Sequence, residues 1–138
     1  MKLILLFLST LLTLAVAKPD PFVAKVMGVH DGDTITVYAG EGPQIKIRLA
    51  GIDAPELKQA YGAESKAALA ALVFGKEIRL VPKSKDRYRR TIADIYLADR
   101  WINLEMVQIG AARHYLKYSK SKALKAAQAQ AAAAPLGL

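Results

Sequence analysis

From residue 22 onward the apolar positions change period several times. Phe22 to Val29 is apolar at nearly every other position and Thr34-Ile35-Thr36-Val37-Tyr38 alternates β-formers, which predicts two strands joined through His30-Asp31-Gly32-Asp33. Gly40-Glu41-Gly42-Pro43 reads as a turn. Gln44 to Leu49 alternates again, with Ile45, Ile47 and Leu49 inward and Lys46 and Arg48 on the opposite face. The period then becomes helical from Tyr61 to Phe74, with Ala67, Leu69, Leu72 and Val73 as the apolar stripe and Gly75 as the stop. Lys76–Val81 and Thr91–Leu97 return to strand character around a polar connection, Pro82 to Arg90, that holds five basic residues. Asn103 is placed to cap a short helix carrying Leu104, Val107 and Ile109 and ending at Gly110. An alanine-rich helix from about Ser119 to Ala134 stops before Pro135. Three strands, a helix, two strands and two helices predict an α+β, mainly β fold, an OB-type five-stranded barrel with about three helices. Strand order is not legible at this level, and no internal repeat is visible.

The first residues follow a different pattern. Met1-Lys2, an apolar stretch from Leu3 to Val16 and the small-x-small site Ala15-Val16-Ala17 predict a signal peptide over residues 1–17 and a single domain over 18–138. The stretch is shorter than the roughly 20 apolar residues that span a bilayer and contains Ser9, Thr10 and Thr13, so no stable membrane insertion is expected. A secreted protein, periplasmic or extracellular, follows from that reading. With no cysteine in the chain, disulfides and thiolate zinc sites are excluded and stability must come from an ordinary apolar core. Loss of Lys2 with the leader leaves 19 basic against 12 acidic residues, a balance of +7 that favours polyanions without identifying one.

Three segments place charge where strands end. Asp31-Gly32-Asp33-Thr34 taken alone is an ordinary hairpin turn. In Arg48-Leu49-Ala50-Gly51-Ile52-Asp53-Ala54-Pro55-Glu56, two carboxylates follow an arginine within eight residues, which by itself is a turn with a surface ion pair. Asp86-Arg87-Tyr88-Arg89-Arg90 alone is a solvated basic loop. Their combination has a chemical logic: in-line displacement at a phosphodiester needs a cation, a base for water and donors for the extra negative charge. His30 and His114 lie far apart in sequence, and each is expected to be structural.

In order, these segments, the Asn103–Gly110 helix and the closing Tyr115-Leu116-Lys117-Tyr118-Ser119 closely resemble the staphylococcal-type thermonuclease family, from about Val23 to Gln130. The resemblance implies an OB-type barrel with three helices. It also implies a calcium ion held by Asp33, Asp53 and the backbone carbonyl of Ala54, with Asp31 as a nearby acid behind the ligands. Three protein oxygens out of about six to eight leave room for substrate and water. Glu56 matches the general base, and Arg48 and Arg90 match two phosphate-contacting arginines whose planar forks neutralise charge in the transition state. Arg87 and Tyr88 match positions near a terminal phosphate of bound nucleotide, and Tyr118 an aromatic beside the base or sugar.

The chain departs from the pattern in a short connection after Glu56, in an alanine-rich final helix where relatives often carry more charge, and at three site positions. Ala54 replaces a threonine, Arg89 stands where glycine is usual, and one pocket tyrosine is replaced by Leu116 or displaced to Tyr115. The activity implied is a calcium-dependent, sugar-non-specific endonuclease cutting DNA and RNA to 3′-phosphate and 5′-hydroxyl ends, acting as a monomer. The alternatives are a catalytically silent nuclease-like binding module, which would be expected to lose acids or arginines kept here, and a general OB-fold binder of single strands, for which Tyr88, Tyr115 and Tyr118 would be the stacking residues.

Overall fold

The computed structural model describes residues 19–133; the leader reading lies outside them, as does Ala134 at the end of the last predicted helix. Five strands close the barrel. They are β1 (Phe22–Asp31), β2 (Thr34–Tyr38), β3 (Ile45–Leu49), β5 (Glu77–Lys85) and β6 (Thr91–Leu97), with the two-residue β4 (Ile52–Asp53) between β3 and β5. The order β3-β2-β1-β5-β6 is antiparallel throughout, and a parallel β3–β6 pairing, Ile47 with Thr91 to Leu49 with Ala93, closes the ring. This is the OB-type α+β barrel that the alternation predicted. Two further short strands appear, β7 (Arg100–Trp101) beside β6 and β8 (Arg113–His114) beside β4.

The inward positions of the alternating strands fill the barrel: Val26, Ile35, Val37, Ile47, Leu49, Ile78, Leu80 and Ile95 are all buried. Each such side chain stabilises by about 1.5–3 kcal/mol relative to exposure. Helix α1 (Gly62–Val73) packs against β1, and α2 (Ile102–Gln108) packs between β6 and α3 (Lys122–Ala133). The face that α1 buries is Gly62, Ser65, Leu69 and Val73, so Leu69 and Val73 match the predicted stripe while Ala67 is exposed. Although mostly alanine, α3 still buries Leu124, Ala127 and Ala131. Among the described residues no helix is long and apolar enough to cross a membrane.

Several local expectations are corrected. Strand β5 runs through Pro82 to Lys85, so the polar connection shrinks to Asp86–Arg90. Proline is tolerated because the pairing with β1 ends at Leu80 and the ladder to β6 shifts register between Pro82 and Ser84, leaving no bond for the missing N–H to make. Asn103 is not a cap but a fully buried residue inside α2. Its Oδ1 accepts from the Ile95 N–H at 2.9 Å, and its Nδ2 donates to the carbonyls of Ala50 at 2.9 Å and Ala93 at 3.3 Å, tying helix, strand and turn together. Helix α3 starts later than Ser119, with the Ser121 hydroxyl accepting from the Leu124 N–H at 3.2 Å. Gly110 ends the α2 region with φ 72°, as expected of a helix stop.

Candidate active site

Three strand ends meet at one corner of the barrel. Thr34 on β2 pairs with Arg48 on β3, which sets Asp33 beside the guanidinium, and the chain then turns through Ala50-Gly51 so that β4 brings Asp53 back. Gly51 permits the turn: its φ is 73°, and a Cβ there would stand 2.9 Å from Leu124 Cδ1. Gly32 answers a different need. Its backbone angle is not left-handed, but a Cβ would lie 1.8 Å from Ser65 Oγ and 2.7 Å from Ala54 Cβ, so the Asp31–Asp33 turn can lie against α1 only as glycine.

Arg48 organises the corner. Its Nη1 donates to the carbonyls of Leu49 and Ile52, both at 2.8 Å, and its Nη2 lies 3.4 Å from Asp33 Oδ2 and 3.5 Å from Asp53 Oδ1. The two carboxylates differ in setting, the Asp33 side chain being 7% exposed and that of Asp53 59%. Asp33 also accepts from the Ala54 N–H at 2.8 Å and the Thr34 hydroxyl at 3.0 Å, and Asp31 Oδ1 accepts from the Asp33 N–H at 3.0 Å. The Asp33 carboxyl is pushed up to about 7, with burial as the largest cause and Asp31 adding to it, while Arg48 and the Ala54 N–H pull the other way.

These residues could hold a hard metal cation. Buried Asp33, with Asp31 behind it and Asp53 converging from β4, presents oxygens of the kind a hard cation takes. Among the described residues no three His, Cys, Asp or Glu side chains cluster for a metal, so the charged ligands would be the pair Asp33 and Asp53.

The second group of expected residues lies on the Asp86–Arg90 turn, next to where β6 pairs with β3. Asp86 builds this turn: its Oδ1 accepts from the N–H of Tyr88 at 2.9 Å and of Arg90 at 3.0 Å, and its Oδ2 accepts from Arg90 Nε at 2.7 Å. Burial pushes Asp86 up, but these bonds outweigh it and hold the carboxyl below its ordinary range. The guanidinium of Arg87 stacks 4.9 Å from the Tyr88 ring centroid and that of Arg90 5.6 Å, so Arg87, Tyr88 and Arg90 form one cationic and aromatic cluster. Arg89 adopts the left-handed backbone that favours glycine, with φ 63°.

Glu56 and Tyr118 stand on loops of their own. Glu56 is exposed in a turn closed by its N–H on Gln59 Oε1 at 2.7 Å and by the Gln59 N–H on its carbonyl at 2.9 Å. Tyr118 is 70% exposed and meets Tyr115 edge to face at 4.9 Å. Its loop is held to the corner by the Tyr115 N–H on the Gly51 carbonyl at 2.8 Å and by His114 Nε2 against Ser119 Oγ at 2.9 Å. His30 pairs instead with Thr36 at 2.6 Å, so both histidines have separate local partners. Asp31, Asp33, Arg48, Asp53 and Ala54 thus form one bonded network and Arg87, Tyr88 and Arg90 a second, whereas Glu56 and Tyr118 join neither among the described residues.

Arg113 was not legible in the sequence. It pairs with Asp53 across β4 and β8 and lines, with Asp53, Ala54 and Gln59, a cavity of about 300 Å³. Nothing in its local pattern marks it, because two-residue strands have no periodicity to detect.

The closed OB barrel thus carries two carboxylates on the Arg48 guanidinium at one corner and a cationic and aromatic cluster on the Asp86–Arg90 turn. Residues 46–138 match the family model described as staphylococcal nuclease homologue. An "Uncharacterized endonuclease" of Haemophilus influenzae is 42% identical over 138 residues, covering 99% of this chain and 78% of that protein. A "Micrococcal nuclease" of Shigella flexneri is 39% identical over 108 residues, 72% of this chain and 62% of that protein. "Protein ParB" of Escherichia coli is 37% identical over 100 residues, 71% of this chain and 53% of that protein. The chain belongs to the staphylococcal nuclease family.

Proposed function

We propose that this nuclease domain is a secreted, calcium-dependent endonuclease that hydrolyses DNA and RNA without regard to the sugar. The observation that carries the reading is the convergence of Asp33 and Asp53 on one guanidinium nitrogen of Arg48, at 3.4 and 3.5 Å, with Asp31 behind them. Asp33, Asp53 and the Ala54 carbonyl would hold the ion. Bound calcium supplies positive charge that polarises a phosphoryl oxygen.

The remaining chemistry belongs to the chain. Glu56 takes a proton from water as its oxygen bonds to phosphorus, the bond from phosphorus to the 5′ oxygen breaks, and that oxygen gains a proton to leave a 5′-hydroxyl and a 3′-phosphate. Arg48 donates to the phosphoryl oxygens as their charge grows. Arg90 is braced for the same task, since Asp86 takes its Nε and leaves both Nη groups without hydrogen-bond partners among the described residues. Arg87 and Tyr88 hold an adjacent phosphate and Tyr118 borders the base or sugar. The +7 charge of residues 18–138 draws the polyanion in, in a salt-dependent way.

Digestion of plasmid DNA and of RNA, with calcium and then with chelator, tests this directly, with end-group labelling to assign the ends. Calcium-dependent cutting of both to 5′-hydroxyl ends is expected. A folded protein that binds DNA but cuts neither would be the silent binding module instead. Export is tested by mass spectrometry of the secreted chain, which should begin at Lys18.

A further inference from the structure

A cavity of about 620 Å³ lies on the outer face of β5 and β6 and reaches Gly51, two residues from Asp53. Of the residues expected to bind substrate, Tyr118 alone lines it. Resting on the nuclease reading, we propose that this cleft receives a nucleobase of a single-stranded segment next to the scissile phosphate, stacked on Trp101 and Tyr118.

Its lining distinguishes a base from a phosphate. The Trp101 indole N–H donates to Asp94 Oδ1 at 3.1 Å, which satisfies the ring's one polar atom and leaves apolar surface for stacking. Asp94, itself 8% exposed, takes Lys83 Nζ at 3.3 Å on its other oxygen. A carboxylate at that depth repels a phosphate yet accepts from the amino and imino groups of a base. The cations stand further out: the Lys83 side chain is 52% exposed and Lys120 is exposed on the facing loop, where the phosphates flanking a bound base would run. A purely structural tie among Trp101, Asp94 and Lys83 explains their mutual contacts but not an open volume bounded opposite by a tyrosine that is 70% exposed. Because the Tyr118 loop is anchored to Gly51 through Tyr115, the cleft and the carboxylate corner share one rigid turn.

Trp101 is the chain's only tryptophan, so its emission reports the cleft directly. The full chain in chelator is titrated with a thymidine oligonucleotide of about eight residues, with inorganic phosphate as the control. The oligonucleotide should quench the emission to saturation and phosphate should not. Tyr118→Ala, on an exposed loop, should weaken binding about five- to 150-fold and raise KM for single-stranded DNA more than it lowers kcat. Trp101→Leu, followed by anisotropy of a labelled oligonucleotide, should weaken binding similarly. A wild type that cuts DNA in calcium while its emission is unmoved, or is quenched equally by phosphate, overturns the cleft and leaves the nuclease reading intact. Quenching without cleavage keeps the cleft and overturns that reading, and the absence of both overturns the two together.

Discussion

Gly32→Ala tests whether helix packing holds the carboxylate turn in place. The new methyl would lie 1.8 Å from Ser65 Oγ and 2.7 Å from Ala54 Cβ, and neither neighbour yields readily. Ser65 is fully buried and donates to the Ala111 carbonyl at 2.6 Å, while the Ala54 N–H is bonded to Asp33. Overpacking of this kind costs about 1–3 kcal/mol. If Ser65 rotates or α1 shifts to make room, the Ala111 carbonyl loses a buried donor, which adds about 1–3 kcal/mol. Alanine reduces the freedom of the unfolded chain, and this returns about 0.4–1 kcal/mol. The net expectation is a loss of about 1–5 kcal/mol, measured as the urea midpoint in chelator. Ser65→Gly removes the Oγ at 1.8 Å and the Cβ at 3.0 Å and leaves only Ala54 Cβ close to the new methyl, so the double variant should lose less than the sum of the two single changes. Calcium should also stabilise Gly32→Ala less than wild type, because the turn that must move carries Asp33 and touches Ala54. A midpoint within about 0.5 kcal/mol of wild type would refute the packing argument.

Other expectations follow from the same geometry. Because the Asp33 carboxyl is raised from 3.8 when unfolded to about 7 when folded, the native metal-free protein holds the extra proton between those values. Its stability in chelator should therefore fall as pH rises through that window, and urea midpoints of Asp33→Asn measured across it should lack this component. Arg89→Gly should stabilise by about 1 kcal/mol by relieving the left-handed backbone at φ 63°, read as a higher thermal midpoint; an unchanged or lower one would show that the turn carries no strain. Glu56→Gln should slow cleavage roughly 10²- to 10⁴-fold with calcium and substrate affinity nearly unchanged, checked by single-turnover rates beside binding titrations. Arg48→Lys keeps the charge but loses both the phosphate fork and the paired donation to Leu49 and Ile52, so it should lower turnover and thermal midpoint together.

Strand alternation and helix stops depend on neighbours a few residues apart, so β1 to β3, α1 and β6 were legible from the amino-acid sequence, as was the barrel class. The order of acids and arginines along the chain was legible too, and with it the family. Closure was not, since pairing of Ile47 with Thr91 joins residues 44 apart and leaves no local pattern. Pro82 looked like the start of a loop because its missing N–H counts against a strand unless the neighbouring strand has already ended, which only the β1 register reveals. Asn103 looked like a cap because its residue type favours that position; three backbone partners on β6 and on the Ala50 turn, 8 to 53 residues away, drew it into the core instead. Gly32 likewise reads as turn chemistry in one dimension and as clearance for Ser65 in three. Residue types and their order determined which chemistry this chain carries. Tertiary structure alone decided which carboxylates share a guanidinium, that Arg113 faces Asp53 across paired strands, and that Trp101 borders a cleft, because each depends on contacts between segments that the chain's local preferences do not encode.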